Sequence, residues 1–427
     1  MTDIVLKKKK EESLLRFHPW VFSGAIQKVV LDAHGSTSVP EEGSVVAVRS
    51  CDGALLGVGH WQIGSIAVRI LVFSNDETLL QTFVAGVPDS FFIERLKRAY
   101  QVRIDAGLVR EDNTAYRLVH GEGDFLPGLV VDIYGATAVV QAHSVGMHQC
   151  VDAISRALLK VVAGLKNVYY KSSATLPFKA PVPVMEREDR YIIYNGKPAV
   201  TQPSVTDEDC IAVENGLRFG IDWLQGQKTG FFLDQRDNRA LVEYYSKGKS
   251  VLNMFCYTGG FSVYALRGGA LEVDSVDVSD KAVRIAERNV LLNFPDCKAH
   301  HAYAEEAFRF FANPPAAEGG KEKKYDLVIL DPPAFAKHRD AVKNALQGYK
   351  RINAKAFEKI KSGGVLFTFS CSQAIDKEMF RLAVFSAAAM SGRRVRILHQ
   401  LHQPADHPIN IYHPEGEYLK GLVLYVE

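Results

Sequence analysis

Cys371 stands in the polar triplet Ser370-Cys371-Ser372, directly after the apolar run Val365 to Phe369. A thiol at a strand end, in a polar loop, can be exposed, and its thiolate is intrinsically nucleophilic. A small hydrophobe closing a core strand is the other reading of the same residue. Asp331-Pro332-Pro333-Ala334-Phe335 follows a second apolar run, Val328 to Leu330. Two prolines remove two N–H donors and hold a rigid, extended loop. That fixes the Asp331 carboxylate and nearby carbonyls where the edge of a planar base could be bound. A stiff strand-to-helix connection, with Asp331 as a cap, is the alternative. A third group is Asn253-Met254-Phe255-Cys256-Tyr257-Thr258-Gly259-Gly260-Phe261. Its glycines allow a tight strand-to-helix turn close to a ligand, with helix N–H groups pointing at it. Asp277 closes the next apolar run, where a carboxylate accepts from ribose hydroxyls. Turn plus acid suits an adenosine-type cofactor, and the missing GxGxxG speaks against a nicotinamide. An ordinary glycine turn beside a solvent-facing Asp remains open.

Other reactive side chains read more quietly. Six Cys in 427 residues are no disulfide scaffold, and no pair forms CxxC. Phe17-His18-Pro19-Trp20 holds one His with no second ligand close in sequence, and reads as a packed corner. In a strand, His300 and His301 face opposite sides. His399, His402, His407 and His413 lack HExxH spacing. No required metal is expected. Lys7, Lys8, Lys9 and Lys10 form one basic run. Arg95, Lys97, Arg98 and Arg103 surround one helix-like stretch. Such groups contact phosphates and position a nucleic acid without reading its sequence. Solvated charge balanced by Glu11, Glu12 and Glu94 is the alternative.

The elements that carry these residues divide the chain. Up to about Phe73 it reads as β-rich, with strands at Ser44 to Val48, Ala54 to Trp61 and Ile66 to Phe73, and a turn at Asp52-Gly53. A middle α+β stretch follows. It has helices over Ser90 to Ala106 and Gln149 to Ala163. Its strands are Ala115 to Val119, Leu129 to Tyr134, Ala136 to Gln141, Val168 to Tyr170 and Tyr191 to Tyr194. From Val251 onward, short apolar strands alternate with helices. They are Val251 to Cys256, Val273 to Asp277, His300 to Tyr303, Leu327 to Leu330, Gly364 to Phe369 and Val395 to Leu398. That pattern means a mostly parallel sheet covered on both faces, with ligands at the carboxyl ends of its strands. The loop Asn313 to Lys324 is compositionally odd, rich in Pro, Ala, Gly and charge. Lys plus Arg is 51 against 49 Asp plus Glu, so any nucleic-acid surface must be a local patch. No apolar h-region follows the basic N-terminus, and nothing approaches the ~18 apolar residues of a membrane span. A cytoplasmic, reducing setting without membrane attachment is expected.

An ordered set of motifs covers nearly the whole chain. It starts with Glu12-Ser13-Leu14-Leu15-Arg16, His18-Pro19-Trp20-Val21-Phe22-Ser23-Gly24 and Gly121-Glu122-Gly123-Asp124-Phe125-Leu126-Pro127-Gly128. It continues with Lys228 to Asp237, Asn253 to Phe261, Asp331-Pro332-Pro333 and Thr368 to Ser372. Ala405-Asp406-His407-Pro408 and Glu415-Gly416-Glu417-Tyr418-Leu419-Lys420-Gly421 complete it. The set resembles the bacterial 23S ribosomal RNA cytosine-C5 methyltransferase family with an N-terminal PUA domain. The resemblance implies an α/β class I methyltransferase (Rossmann-like) domain over 204–427. It implies a β-rich PUA domain over 1–75 and a small α+β domain over 76–203 before it. It implies S-adenosylmethionine as methyl donor, held by Gln235, Arg236, the turn Phe255 to Gly260 with Tyr257 and Gly259, Asp277 and Glu306. Asp331 matches the boundary between cofactor and base, and Cys371 matches the nucleophile. The implied partner is 23S rRNA, protein-free or partly assembled. No obligate protein partner is evident, and a homodimer is conceivable.

Cytosine C5 is a poor nucleophile, and thiolate addition at C6 makes it enamine-like. Asp331, protonated or sharing a proton, then stabilises charge developing at N3. The base must first leave its stack. Related enzymes outside this branch carry a second Cys in the loop that here reads Asp331-Pro332-Pro333-Ala334, and that Cys assists product release. Its absence leaves solvent as the base that takes the C5 proton. A base amino-group methyltransferase is one competing reading, but such enzymes present Asn-Pro-Pro-Tyr or a close variant. A non-catalytic RNA-binding or ribosome-assembly module is the other.

Overall fold

The computed structural model describes residues 1–31, 39–177, 182, 186, 188–199, 203–206, 208, 210–315, 322–336 and 339–427. Residues 316–321 of the loop noted above, and 200–202 at the expected domain boundary, lie outside that set. The chain forms two compact units. One is Met1–Val213 with Ile221–Phe231 and Ala405–Gly416; the other is Glu214–Gly220 with Phe232–Pro404 and Glu417–Glu427.

The first unit holds two six-stranded sheets. The N-terminal sheet runs in the order Trp20–Phe22, Ile66–Phe73, Leu55–Trp61, Val45–Arg49, Thr2–Leu6, Ile26–Val30. Its expected hairpin is present: Val46 pairs with Gly59 and Val48 with Gly57. The second sheet runs Lys197–Pro198, Arg190–Tyr194, Asn167–Tyr170, Thr137–Ala142, Leu129–Tyr134, Ala115–His120. The helices Asp89–Asp105 and Val151–Val161 cover it, and Phe92, Leu96, Ile154 and Leu158 enter its core.

Arg103 corrects the expected basic face of the first of these helices. It follows Leu96 and Ala99 on the buried stripe, and its side chain is 0% exposed. Both guanidinium arms grip the Asp124 carboxylate, and Nη2 also donates to the Asp406 carbonyl at 2.9 Å. It therefore has no surface for a phosphate.

The compact units do not follow the expected 204–427 boundary. Thr229 donates to Asp132 at 2.6 Å, and Lys171 donates to the carbonyls of Trp223 and Gly226 at 2.6 and 2.7 Å. Asp406 accepts from the Arg117 N–H at 2.9 Å. These buried polar bonds fold Ile221–Phe231 and Ala405–Gly416 with the N-terminal sheets.

The second unit is built on a seven-stranded sheet. Its strands are β1 (Ser250–Met254), β2 (Glu272–Asp277), β3 (His300–Ala304), β4 (Tyr325–Leu330), β5 (Ile360–Ser370), β6 (Val395–Leu401) and β7 (Lys420–Val426). The spatial order is β3-β2-β1-β4-β5-β7-β6. Neighbours from β3 through β5 are parallel, and β7 is antiparallel to both β5 and β6. Successive strand side chains point to opposite faces. Leu252, Met254, Val328 and Leu330 thus enter one core, and Val251, Leu327 and Ile329 enter the other. That two-sided burial is why these strands read as unbroken apolar runs. Among the described residues, no helix is long and apolar enough to cross a membrane.

Candidate active site

Strand order reverses between β1 and β4, and open α/β sheets bind ligands outside the carboxyl ends of strands at that switch point. Five of the sheet's carboxyl ends, those of β1 to β5, carry the residues singled out above.

After β1 the chain turns sharply into the helix Gly260–Arg267. Phe255 and Tyr257 take φ of 60° and 46°, and Gly259 takes 78°. A Cβ on Gly259 would lie 2.7 Å from the Ala286 Cβ, so only glycine fits there. The Tyr257 N–H donates to Asp277 at 3.0 Å, and Ser279 N–H donates to its other oxygen at 2.9 Å. Asp277 therefore braces the turn and keeps further lone pairs toward the sheet's end. Cys256 is buried in this turn, and burial pushes its thiol well up, out of nucleophilic range. At the end of β3, Glu306 caps the helix Ala307–Ala312 by accepting from Arg309 N–H at 2.9 Å.

Gln235 and Arg236 enter from the turn before the helix Arg236–Tyr245. Gln235 donates to Asp331 at 3.0 Å and accepts from Asn238 at 2.6 Å, which orients its amide. Arg236 and Arg239 share the fully buried Glu214, at 3.6 Å and 2.6 Å. The Tyr264 hydroxyl donates to the same carboxylate at 2.9 Å. Losing that charge would strand two buried guanidinium groups. Glu214→Gln is expected to lower stability by about 3–5 kcal/mol. Denaturant unfolding followed by far-UV circular dichroism reads this, and an unchanged midpoint would contradict it.

The loops that carry Cys371 and Asp331 are joined by a polar hub that the sequence did not announce. The Ser370 hydroxyl donates to Tyr349 at 2.9 Å, and Tyr349 bonds the Ser372 hydroxyl at 2.9 Å. Ser372 also accepts from the Ala336 N–H at 3.3 Å, which ties the Cys371 loop to the Asp331 loop. The Phe335 ring packs on Tyr349 at 4.7 Å. The two serines are buried, and Cys371 between them is half-buried. Lys420, opposite Ser370 in the β5–β7 register, donates to the Ser372 carbonyl at 2.7 Å. Burial pulls its ammonium down to about 8, while charge on Cys371 favours keeping it protonated. Tyr349 lies in no motif of the sequence. Lys420 lies in the Glu415–Gly421 motif, which assigned it no role.

The site fits a cationic, ribose-bearing cofactor. Carboxylates stand at the ends of β2, β3 and β4, namely Asp277, Glu305 with Glu306, and Asp331. The glycine turn and a helix N-terminus lie between them. Lys7, Lys8, Lys9 and Lys10 are exposed on the other unit, Lys7 donating to the Gly24 carbonyl. There, Lys97 is exposed and Arg98 pairs with Glu94. Arg95 is half-buried, donates to the Leu71 carbonyl and lies over the Phe91 and Phe125 rings.

Residues 201–413 match the family described as S-adenosylmethionine-dependent methyltransferase, and residues 4–73 match that of the PUA-like domain. A protein of Aeromonas hydrophila named ribosomal RNA large subunit methyltransferase I is 40% identical, over 99% of this chain and 98% of its own. A protein of the same name from Tolumonas auensis is 38% identical over 99% of each. Among solved structures, a Streptococcus mutans protein described as a SAM-dependent methyltransferase superposes at a TM-score of 0.77, with 20% identity and full coverage of both chains. A methyltransferase solved with SAH gives 0.77 at 21% identity, again over both whole chains. At such identities the two structures speak to the fold.

Proposed function

The chain belongs to the S-adenosylmethionine-dependent methyltransferase family whose members include the ribosomal RNA large subunit methyltransferases I; from that premise we propose that it methylates C5 of a cytosine in 23S rRNA through a covalent bond from Cys371 to C6. The observation that carries the reading is that the loops holding Cys371 and Asp331, at adjacent strand ends, are joined through Ser372, which Tyr349 anchors. An amino-group methyltransferase needs no thiol there, and it presents an Asn where Asp331 stands.

S-adenosylmethionine supplies an electrophilic methyl group when bound. Asp277 would hold its ribose, the Phe255 to Gly260 turn would pass beside it, and Gln235, Arg236 and Glu306 would complete its surroundings. Cys371 attacks C6 of the extruded cytosine as thiolate, and the electron pair moves to the ring. Asp331 donates to, or shares a proton with, N3, where charge develops. Gln235 fixes that carboxyl. Once C5 is methylated, water or hydroxide takes the C5 proton, and the C6–S bond breaks to return the thiolate. Protein-free or partly assembled rRNA suits a base that must be unstacked. Lys7, Lys8, Lys9, Lys10, Arg95, Lys97 and Arg98 would meet surrounding phosphates; Lys97 and the lysine run are the more available.

Lys420 gives this reading a pH test. Below about 8 its ammonium is present and favours the Cys371 thiolate; above about 8 that charge is lost. That charge should therefore let the thiolate form at lower pH. Lys420→Met should shift the rising, thiolate-dependent limb of the pH–rate profile to higher pH and run roughly tenfold slower at neutral pH, because its thiol is harder to ionise. A pH–rate profile with the same limb in the variant would remove Lys420 from the mechanism. Labelled methyl transfer to 23S rRNA with nucleoside analysis tests the function itself.

A further inference from the structure

We propose that His18, His413 and Glu415 form a site for one divalent transition-metal ion of the zinc type, which fastens the segment Ala405–Gly416 to the N-terminal sheet within the first unit. The three side chains come from opposite ends of the chain. His18 leads into the strand Trp20–Phe22 behind Phe17, whose φ is 63°. His413 and Glu415 flank Pro414 in a short helical turn, with the His413 N–H bonded to the Asn410 carbonyl at 2.8 Å.

The donor atoms converge. His18 Nε2 lies 3.7 Å from one Glu415 carboxylate oxygen, and His413 Nε2 lies 3.7 Å from the other. All three potential ligand atoms fall within 4.8 Å of one another. Ligands on a tetrahedral zinc, at about 2.0–2.1 Å from the metal, sit roughly 3.3–3.4 Å apart. The present spacing reaches that with small side-chain rotations.

A second observation points to a missing ligand. The His413 side chain is 4% exposed, and both of its ring nitrogens are buried with no hydrogen-bond partner among the described residues. Buried polar groups are rarely left so, because desolvation is then uncompensated. The Trp20 ring stands against the imidazole at 4.3 Å and keeps water from that side. A metal on Nε2 gives this nitrogen a partner. The His18 Nδ1 lies 3.3 Å from both the Trp20 carbonyl and the Trp20 N–H, so the backbone of Trp20 holds the ring in place. With Nδ1 donating to that carbonyl, as an outer-shell partner does, Nε2 is the ligating nitrogen.

Two imidazoles and one carboxylate suit Zn²⁺, Co²⁺ or Ni²⁺ rather than Mg²⁺ or Ca²⁺, which prefer oxygen throughout. Glu415 is 45% exposed, so a fourth position opens to water. The cluster Glu272, Asp274 and His301 makes the contrast plain. There the Lys323 ammonium already lies 2.7 Å from both carboxylates, supplying the positive charge.

The test titrates Co²⁺ into the untagged, chelator-treated full chain and follows its visible ligand-field bands. One equivalent should bind and raise the thermal midpoint. His413→Gln and Glu415→Gln should each weaken binding at least tenfold. Circular dichroism of the metal-free variants checks that they fold. X-ray absorption on the zinc-loaded natural chain needs no variant, and should show two imidazoles with oxygen. No stoichiometric binding at micromolar Co²⁺, binding unchanged in both folded variants, or a sulfur shell would each overturn the proposal.

Discussion

Replacing Cys371 with alanine abolishes methyl transfer to 23S rRNA and leaves S-adenosylmethionine binding within about twofold of the natural chain. The thiol is the group that makes C5 nucleophilic, so its loss is expected to cost roughly 10⁴-fold or more in turnover. Cofactor affinity should hold because Cys371 lies at the end of β5, while the turn and Asp277 follow β1 and β2. The split between the two readouts matters. A variant that had merely lost its fold would lose both, since Ser370 and Ser372 on either side anchor the loop through Tyr349. Natural turnover in Cys371→Ala would end the covalent mechanism.

Asp331→Asn should lower kcat/KM by about 10²–10⁴-fold, the range for a positioned acid or base. The substitution keeps size and keeps an oxygen to accept from Gln235, so the loop should stay as it is. What it removes is the carboxyl's capacity to give or share a proton at N3. Cofactor binding should change little, and the Gln235→Ala variant should lose less activity than Asp331→Asn. An asparagine variant with natural kcat/KM would show that Asp331 only shapes the loop.

Much of this unit was legible from apolar runs. β1 to β6 were each expected within a few residues; for β1, β2, β4 and β5 the reason is that runs buried on both faces leave a dense signal. Ser279 caps the helix Asp280–Asn293, accepting from the Ala282 N–H at 3.3 Å. The missed strands are instructive. Thr2–Leu6 abuts a lysine run, Trp20–Phe22 is three residues long, and β7 follows a glycine- and charge-rich motif. One helix expected over Gln149 to Ala163 is two, Val145–Gln149 and Val151–Val161, joined at Cys150.

The site divides in the same way. Cys371, Asp331, Asp277 and the glycine turn were singled out by residue type and position at strand ends, and the family resemblance chose among the roles that left open. The Tyr349 hub, the Glu214 carboxylate beneath Arg236 and Arg239, and the approach of Lys420 depend on contacts between distant segments. No local pattern encodes those. Arg103 shows the cost of reading charge from composition alone: helical phase, set by Leu96 and Ala99, decides that it points inward.

The most direct test is methyl transfer from labelled S-adenosylmethionine to protein-free 23S rRNA, with digestion to nucleosides and identification of the product. The account predicts 5-methylcytidine at a single position with the natural chain and none with Cys371→Ala. Label in an N-methylated base, or label that persists in the alanine variant, would contradict it.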